Sequence, residues 1–216
     1  MKKRTIALLA PVLALLPVAC GSSSGNNIIG GPACNNGACG GDITGTWNVS
    51  SVCLSKSILM TTLTQELMGV CPSATVGDSS APTTGSLMFN ADLSYSIALS
   101  ESVSLGMNLP ISCFQGATCA DLNTSFMQQV TGDPTIQSAS CTGTNPCVCT
   151  ITSVPMAITE AGTYTVSGTS ITTTPTTGGT GVSTLSYCVK DTTLTFKDAS
   201  PDPTNPVTAI VGTKAP

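Results

Sequence analysis

Between Leu93 and Ile111 every odd position but one is apolar: Leu93, Tyr95, Ile97, Leu99, Val103, Leu105, Met107, Leu109 and Ile111. The even positions are Ser94, Ser96, Ala98, Ser100, Ser102, Ser104, Gly106, Asn108, Pro110 and Ser112. Successive side chains of a strand point to opposite faces, so this stretch must bury one face and wet the other. A slip of one residue would put the whole apolar set in water. The stretch is longer than the ~10 residues a strand usually reaches. It therefore reads as one strand bending near Gly106, or as two strands that keep phase. The exception on the apolar face is Glu101.

The same alternation runs through most of the chain after Thr44. Trp47, Val49, Ser51 and Cys53 fall on one face of a first strand, and Leu87 with Phe89 on another, followed by a turn at Asn90-Ala91-Asp92. Strands are expected at Ile136 to Cys141 and at Cys147 to Ile158, where the apolar phase switches beside Pro155 and suggests a bulge or an edge. Tyr164 with Val166, Ile171, Leu185 with Tyr187 and Val189, and Leu194 with Phe196 continue the pattern, the last two joined at Lys190-Asp191. Two stretches change period. Leu59, Leu63 and Leu67 recur at helical spacing ahead of Gly69, a natural helix C-cap. Thr118 is a natural N-cap for a helix to Val130, with Asp121 in its first turn and Leu122, Phe126 and Val130 on one face. The expectation is an all-β antiparallel fold of eight or more strands with two short helices, in one domain over residues 42–199. The segment 200–216 reads as a Pro-rich tail.

The N-terminus limits where this domain folds. Lys2, Lys3 and Arg4 precede Ile6 to Val18, which holds only Ile, Ala, Leu, Val and Pro. That run is short of the ~20 residues that span a bilayer, and it suits the apolar core of an export signal over residues 1–19. Val18-Ala19-Cys20 followed by Gly21-Ser22-Ser23-Ser24-Gly25 resembles the lipobox of bacterial lipoproteins. The resemblance implies a lipidated Cys20 and a Gly/Ser/Asn-rich tether over 20–41. Removing the signal leaves four lysines, no Arg and no His against eleven Asp and Glu, a net charge of −7. Such a chain cannot neutralise a run of phosphates, which excludes nucleic-acid binding. An acidic surface also leaves the lipid as the membrane contact, and by lipoprotein precedent Gly21 after the cysteine favours the outer membrane.

Eleven cysteines less Cys20 leave an even ten: Cys34, Cys39, Cys53, Cys71, Cys113, Cys119, Cys141, Cys147, Cys149 and Cys188. In an exported chain that reads as disulfides. A zinc site is disfavoured by the missing His and the single residue between Cys147 and Cys149. The pairing is open, although Cys34 and Cys39 could close a small local loop.

Gly45-Thr46-Trp47, the hairpin Leu87 to Tyr95, Gly162-Thr163-Tyr164-Thr165-Val166-Ser167-Gly168 and Tyr187 to Phe196 occur in an order similar to the lipocalin-like domains of bacterial lipoproteins. The cysteines resemble a Cys-rich subgroup from myxobacteria and their relatives. The resemblance implies an up-and-down barrel with an internal cavity. Lipocalins usually stack an Arg on the Trp of the opening motif, and the mature chain has none.

Without His there is no Ser–His or Cys–His nucleophile, and no Gly-rich loop precedes a Lys and a Ser or Thr to cradle phosphate. Glu101 and Glu160 are the only carboxylates worth weighing for acid–base work, and solvated carboxylates are the simpler reading. Asp198 and Asp202 read as an exposed loop rather than calcium ligands. The sequence therefore points away from an enzyme, a metal site or a cofactor. It leaves two readings: a carrier of a small apolar molecule or lipid, or a structural or interaction lipoprotein with a filled barrel. For the carrier, Glu101, Tyr95 and Trp47 are the candidate pocket residues, with Glu101 as a polar anchor and Trp47 as core. No feature of the sequence specifies a protein partner.

Overall fold

The computed structural model describes residues 28–67, 71–179, 181–198 and 207–216. The export signal, Cys20 and Gly69 lie outside these residues. In chain order the strands and helices are β1 (Ile28–Ile29), β2 (Gly45–Ser55), α1 (Lys56–Leu67), β3 (Thr75–Val76), β4 (Thr83–Phe89), β5 (Ser94–Glu101) and β6 (Ser104–Leu109). They continue with α2 (Cys119–Val130), β7 (Ile136–Thr142), β8 (Cys147–Ser153), β9 (Met156–Ser167), β10 (Ser170–Thr177), β11 (Ser183–Lys190), β12 (Thr193–Asp198) and β13 (Val207–Lys214). Among the described residues no helix is long and apolar enough to cross a membrane.

The chain divides into two compact units where the sequence suggested one. The larger is an eight-stranded antiparallel barrel. Its strands neighbour one another as β2-β4-β5-β9-β10-β11-β12-β13, and β13 pairs with β2 to close it. The barrel strands are thus met in chain order, the up-and-down architecture the resemblance implied. The smaller unit is built from residues 59–79 and 104–154, two excursions that interrupt this order. It holds a four-stranded antiparallel sheet, β3-β6-β8-β7, and helix α2.

This division explains the long alternation. It is two strands keeping phase, β5 in the barrel and β6 in the second sheet. Tyr95 and Leu99 are buried on β5, Met107 and Leu109 on β6. Leu93 breaks the pattern: it is 49% exposed and adopts φ 66° in the turn that Asp92 stabilises by accepting the Ser94 N–H at 2.9 Å. Likewise the phase switch beside Pro155 is not a bulge. It separates β8 from β9, which belong to different sheets.

Four other expectations change for non-local reasons. The apolar face of β2 does not continue from Trp47 to Cys53. A register shift places Val211 opposite Ser51 but Gly212 opposite Val49, which leaves Ser50 extra and inverts the faces beyond it. Cys53 then joins Cys34, Ala209 and Val211 in a cluster separate from the barrel interior. Residues 28–41 are not a free tether, since β1 pairs with β2 and the segment is bonded to the barrel. The supposed tail contains β13, the strand that closes the barrel. Cys34 and Cys39 form no local loop; they bond Cys53 and Cys188.

All ten cysteines are paired. Cys34–Cys53 and Cys39–Cys188 lie in the barrel unit, and Cys71–Cys113, Cys119–Cys147 and Cys141–Cys149 in the smaller one. The smaller unit has few large core residues, among them Leu63, Met107, Leu109, Ile136 and Ile151, so its cross-links supply much of its order. Helix α2 begins as its N-cap chemistry dictates. The Thr118 N–H and hydroxyl both donate to Asp121 Oδ2 at 2.7 Å, and Asp121 N–H donates back to Thr118 Oγ1 at 3.2 Å. From α2, Asn123 Oδ1 accepts the Cys141 N–H at 2.9 Å and so covers part of the open edge of β7.

Candidate functional site

The barrel interior has two unlike halves. Call the end bearing Gly45, the Asn90–Leu93 turn and Lys214 the floor. Here Trp47, Phe89, Tyr95, Tyr164, Ile171, Tyr187, Leu194 and Phe196 form one buried cluster. Phe89 is its hub, with ring centroids 5.2 Å from Tyr164 in an edge contact, 5.7 Å from Phe196 and 6.2 Å from Tyr95. These geometries suit the quadrupoles of aromatic rings.

Polar tips on buried aromatic rings need partners. Trp47 Nε1 donates to the Ile43 carbonyl at 2.7 Å, Tyr187 to the Gly41 carbonyl at 3.0 Å and Tyr164 to the Asn90 carbonyl at 2.9 Å. Gly41 and Ile43 belong to the segment ahead of β2 and Asn90 to the β4–β5 turn, and Ile43 is itself buried in the cluster. The chain ahead of β2 therefore acts as a plug, and the Cys39–Cys188 bond ties it to β11. Lys214 lies over the face of Trp47, its Nζ 5.3 Å from the ring centroid.

The fourth ring differs. The Tyr95 hydroxyl donates to Glu160 Oε1. Loss of water, then the bond to Glu160 and its charge, push the phenol above its ordinary range. Glu160 is opposite Ile97 across the β5–β9 ladder, on the interior face. Gly179 packs against the Glu160 carboxylate, so a Cβ there would require that carboxylate to move.

Above Tyr95 the β5–β9 wall climbs by inward-facing rungs: Ile97 opposite Glu160, Leu99 opposite Ile158 and Glu101 opposite Met156. This half is more open. Leu87 and Leu99 are buried in the same cluster as the rings, whereas Ile97 and Ile158 are only partly buried where they pack on the core, as are Leu185 and Ile210, and Met156 is 46% exposed. Glu101 ends β5 half-buried. Loss of water raises its carboxyl above the ordinary range.

The three sequence-derived pocket residues are thus distributed along the barrel. Trp47 is fully buried in the floor, Tyr95 is at the boundary of the two halves, and Glu101 is at the open rim. Glu160 joins Tyr95 although the sequence reading weighed it only for catalysis. The clue was present: Ile158 and Tyr164 share its even phase, so Glu160 interrupts an apolar face just as Glu101 does. Lys214 was hidden by the reading of β13 as tail, although Val207, Ala209 and Val211 alternate ahead of it. The two glutamates do not form an acid–base pair side by side. Their anchor points are offset by four residues on neighbouring strands, about 13 Å at ~3.3 Å per residue. Among the described residues no group of three or more potential ligands could hold a metal ion. Searches of family models, curated proteins and solved structures return no match to this chain.

Proposed function

We propose that this chain is an envelope lipoprotein, anchored by lipid on Cys20, whose lipocalin-like barrel holds a small apolar molecule in its upper half. The observation that carries the reading is the contrast between the two halves. Below, the interior is closed by rings buried to within 3% of full exclusion, with every polar tip paired. Above, Leu87 and Leu99 are buried, but Ile97, Ile158, Leu185 and Ile210 face inward and stay partly accessible. Apolar walls with a few placed polar groups are the usual lining of a small-molecule site. The protein acts by binding, not catalysis, and is held at the outer membrane by its acyl chains.

The second reading is a structural lipoprotein, favoured by the filled floor and the five disulfides. One set of measurements separates the two. The full mature chain carrying Cys20→Ser is titrated with N-phenylnaphthylamine, a neutral probe that fluoresces in apolar surroundings. Saturable fluorescence that Ile158→Trp, at a partly accessible inward position, abolishes supports the carrier. A probe that stays dark supports the filled barrel. For the anchor, Cys20→Ser is expected to lose the lipid mass and leave the membrane fraction, and unchanged fractionation would refute lipidation.

A further inference from the structure

We infer that the upper half of the barrel takes an aliphatic diamine, with one ammonium at Glu101 and the other at Glu160. The inference rests on the carrier reading and names its ligand class. Glu101 and Glu160 both face inward on the β5–β9 wall. The rungs between and beside them are hydrocarbon: Leu99 is buried, and Ile97 and Ile158 are partly accessible. An acid at each end of an apolar track is complementary to a chain that is apolar in the middle and cationic at both ends.

Charge balance supports this ligand over an acid or a neutral lipid. A partly desolvated carboxylate is unfavourable unless a cation or donors compensate it. Glu160 accepts from the Tyr95 phenol, and among the described residues no ion pair or hydrogen bond to the Glu101 carboxylate is seen while burial raises its carboxyl. Lys214, which is exposed, lies over the Trp47 ring at the floor, away from Glu101. A fatty acid would bring a third negative charge to two carboxylates. An alkylammonium would compensate one of them, and a diamine both. The offset of about 13 Å between the two anchor points suits a linear spacer of moderate length rather than a short diamine.

The test compares four probes of equal chain length on the Cys20→Ser mature chain by calorimetry: diaminooctane, octylamine, octanol and octanoate. Diaminooctane is expected to bind about tenfold or more tighter than octylamine, since charge-assisted hydrogen bonds are worth more than a factor of ten each. Octanoate should bind weakest. Glu101→Gln should bring diaminooctane down to the affinity of octylamine and leave octanol unchanged. Asp191→Asn, which removes one exposed charge at a turn, should preserve the preference and so exclude general attraction to an acidic protein. Equal affinity for diamine and alcohol, or a preference that survives Glu101→Gln, overturns the diamine while leaving the carrier reading in place. If no probe binds, including octanol, the carrier reading itself fails.

Discussion

Removing the Cys39–Cys188 bond tests whether the plug is held by the covalent clamp. The bonded cysteines are 149 residues apart. In the chain-entropy treatment, closing a loop of that length in the unfolded state is worth about 5 kcal/mol. The value must be reduced, because Cys71–Cys113 and Cys119–Cys147 lie inside the loop and shorten it. The shortest path through those bonds is about 80 residues, worth about 4.5 kcal/mol by the same formula. That is a large share of the ~5–15 kcal/mol net stability of a domain. The double variant Cys39→Ala/Cys188→Ala is followed by urea unfolding. Trp47 is the only tryptophan in the chain and is buried in the barrel core, so its fluorescence reports this unit selectively. The expected result is a loss of about 3–5 kcal/mol with a steeper dependence on urea, as the freed unfolded chain exposes more surface. A loss below about 1 kcal/mol would refute the reasoning and mean that Tyr187, Trp47 and Ile43 hold the plug unaided.

Three further outcomes follow from the geometry. Lys214→Gln should cost about 0.5–1 kcal/mol by removing the cation from the Trp47 face, and Lys214→Arg should restore it, both read from the same unfolding curves. Ile97→Asp should prevent folding of the barrel whereas Ser96→Asp on the opposite face does little; circular dichroism distinguishes them, and equal tolerance would contradict the inward assignment. Glu101 has a folded pKa above its unfolded value, so its ionisation opposes folding above that folded pKa and the penalty vanishes below the unfolded value near pH 4. Glu101→Gln should therefore stabilise the protein at pH 7 and match the parent at pH 3, which paired unfolding curves would check.

What could be read from the residues was what adjacent residues decide among themselves. Period-two alternation marked β5 and β6, and the Thr118–Asp121 pair marked the start of α2, because pleat and helix capping depend on neighbours a few positions away. The even count of ten cysteines implied that all would be paired. The inward phase of Glu101 was legible for the same reason, since it follows from strand parity alone. Which cysteine meets which, however, depends on how far apart the fold leaves chain segments, so Cys39 found Cys188 rather than nearby Cys34. Ser50 could not be seen as a bulge until β13 supplied the partner that it misaligns with. Nor could Val207–Lys214 be known as the closing strand, because an apolar run acquires that role only from the edge it pairs with. Parity also could not say that Leu99 and Leu105 belong to different sheets, as alternation continues unchanged across the break at residues 102–103. The track between Glu101 and Glu160 is likewise a product of register: the two glutamates lie far apart in the chain, and only the hydrogen-bonded ladder between β5 and β9 puts them on one wall.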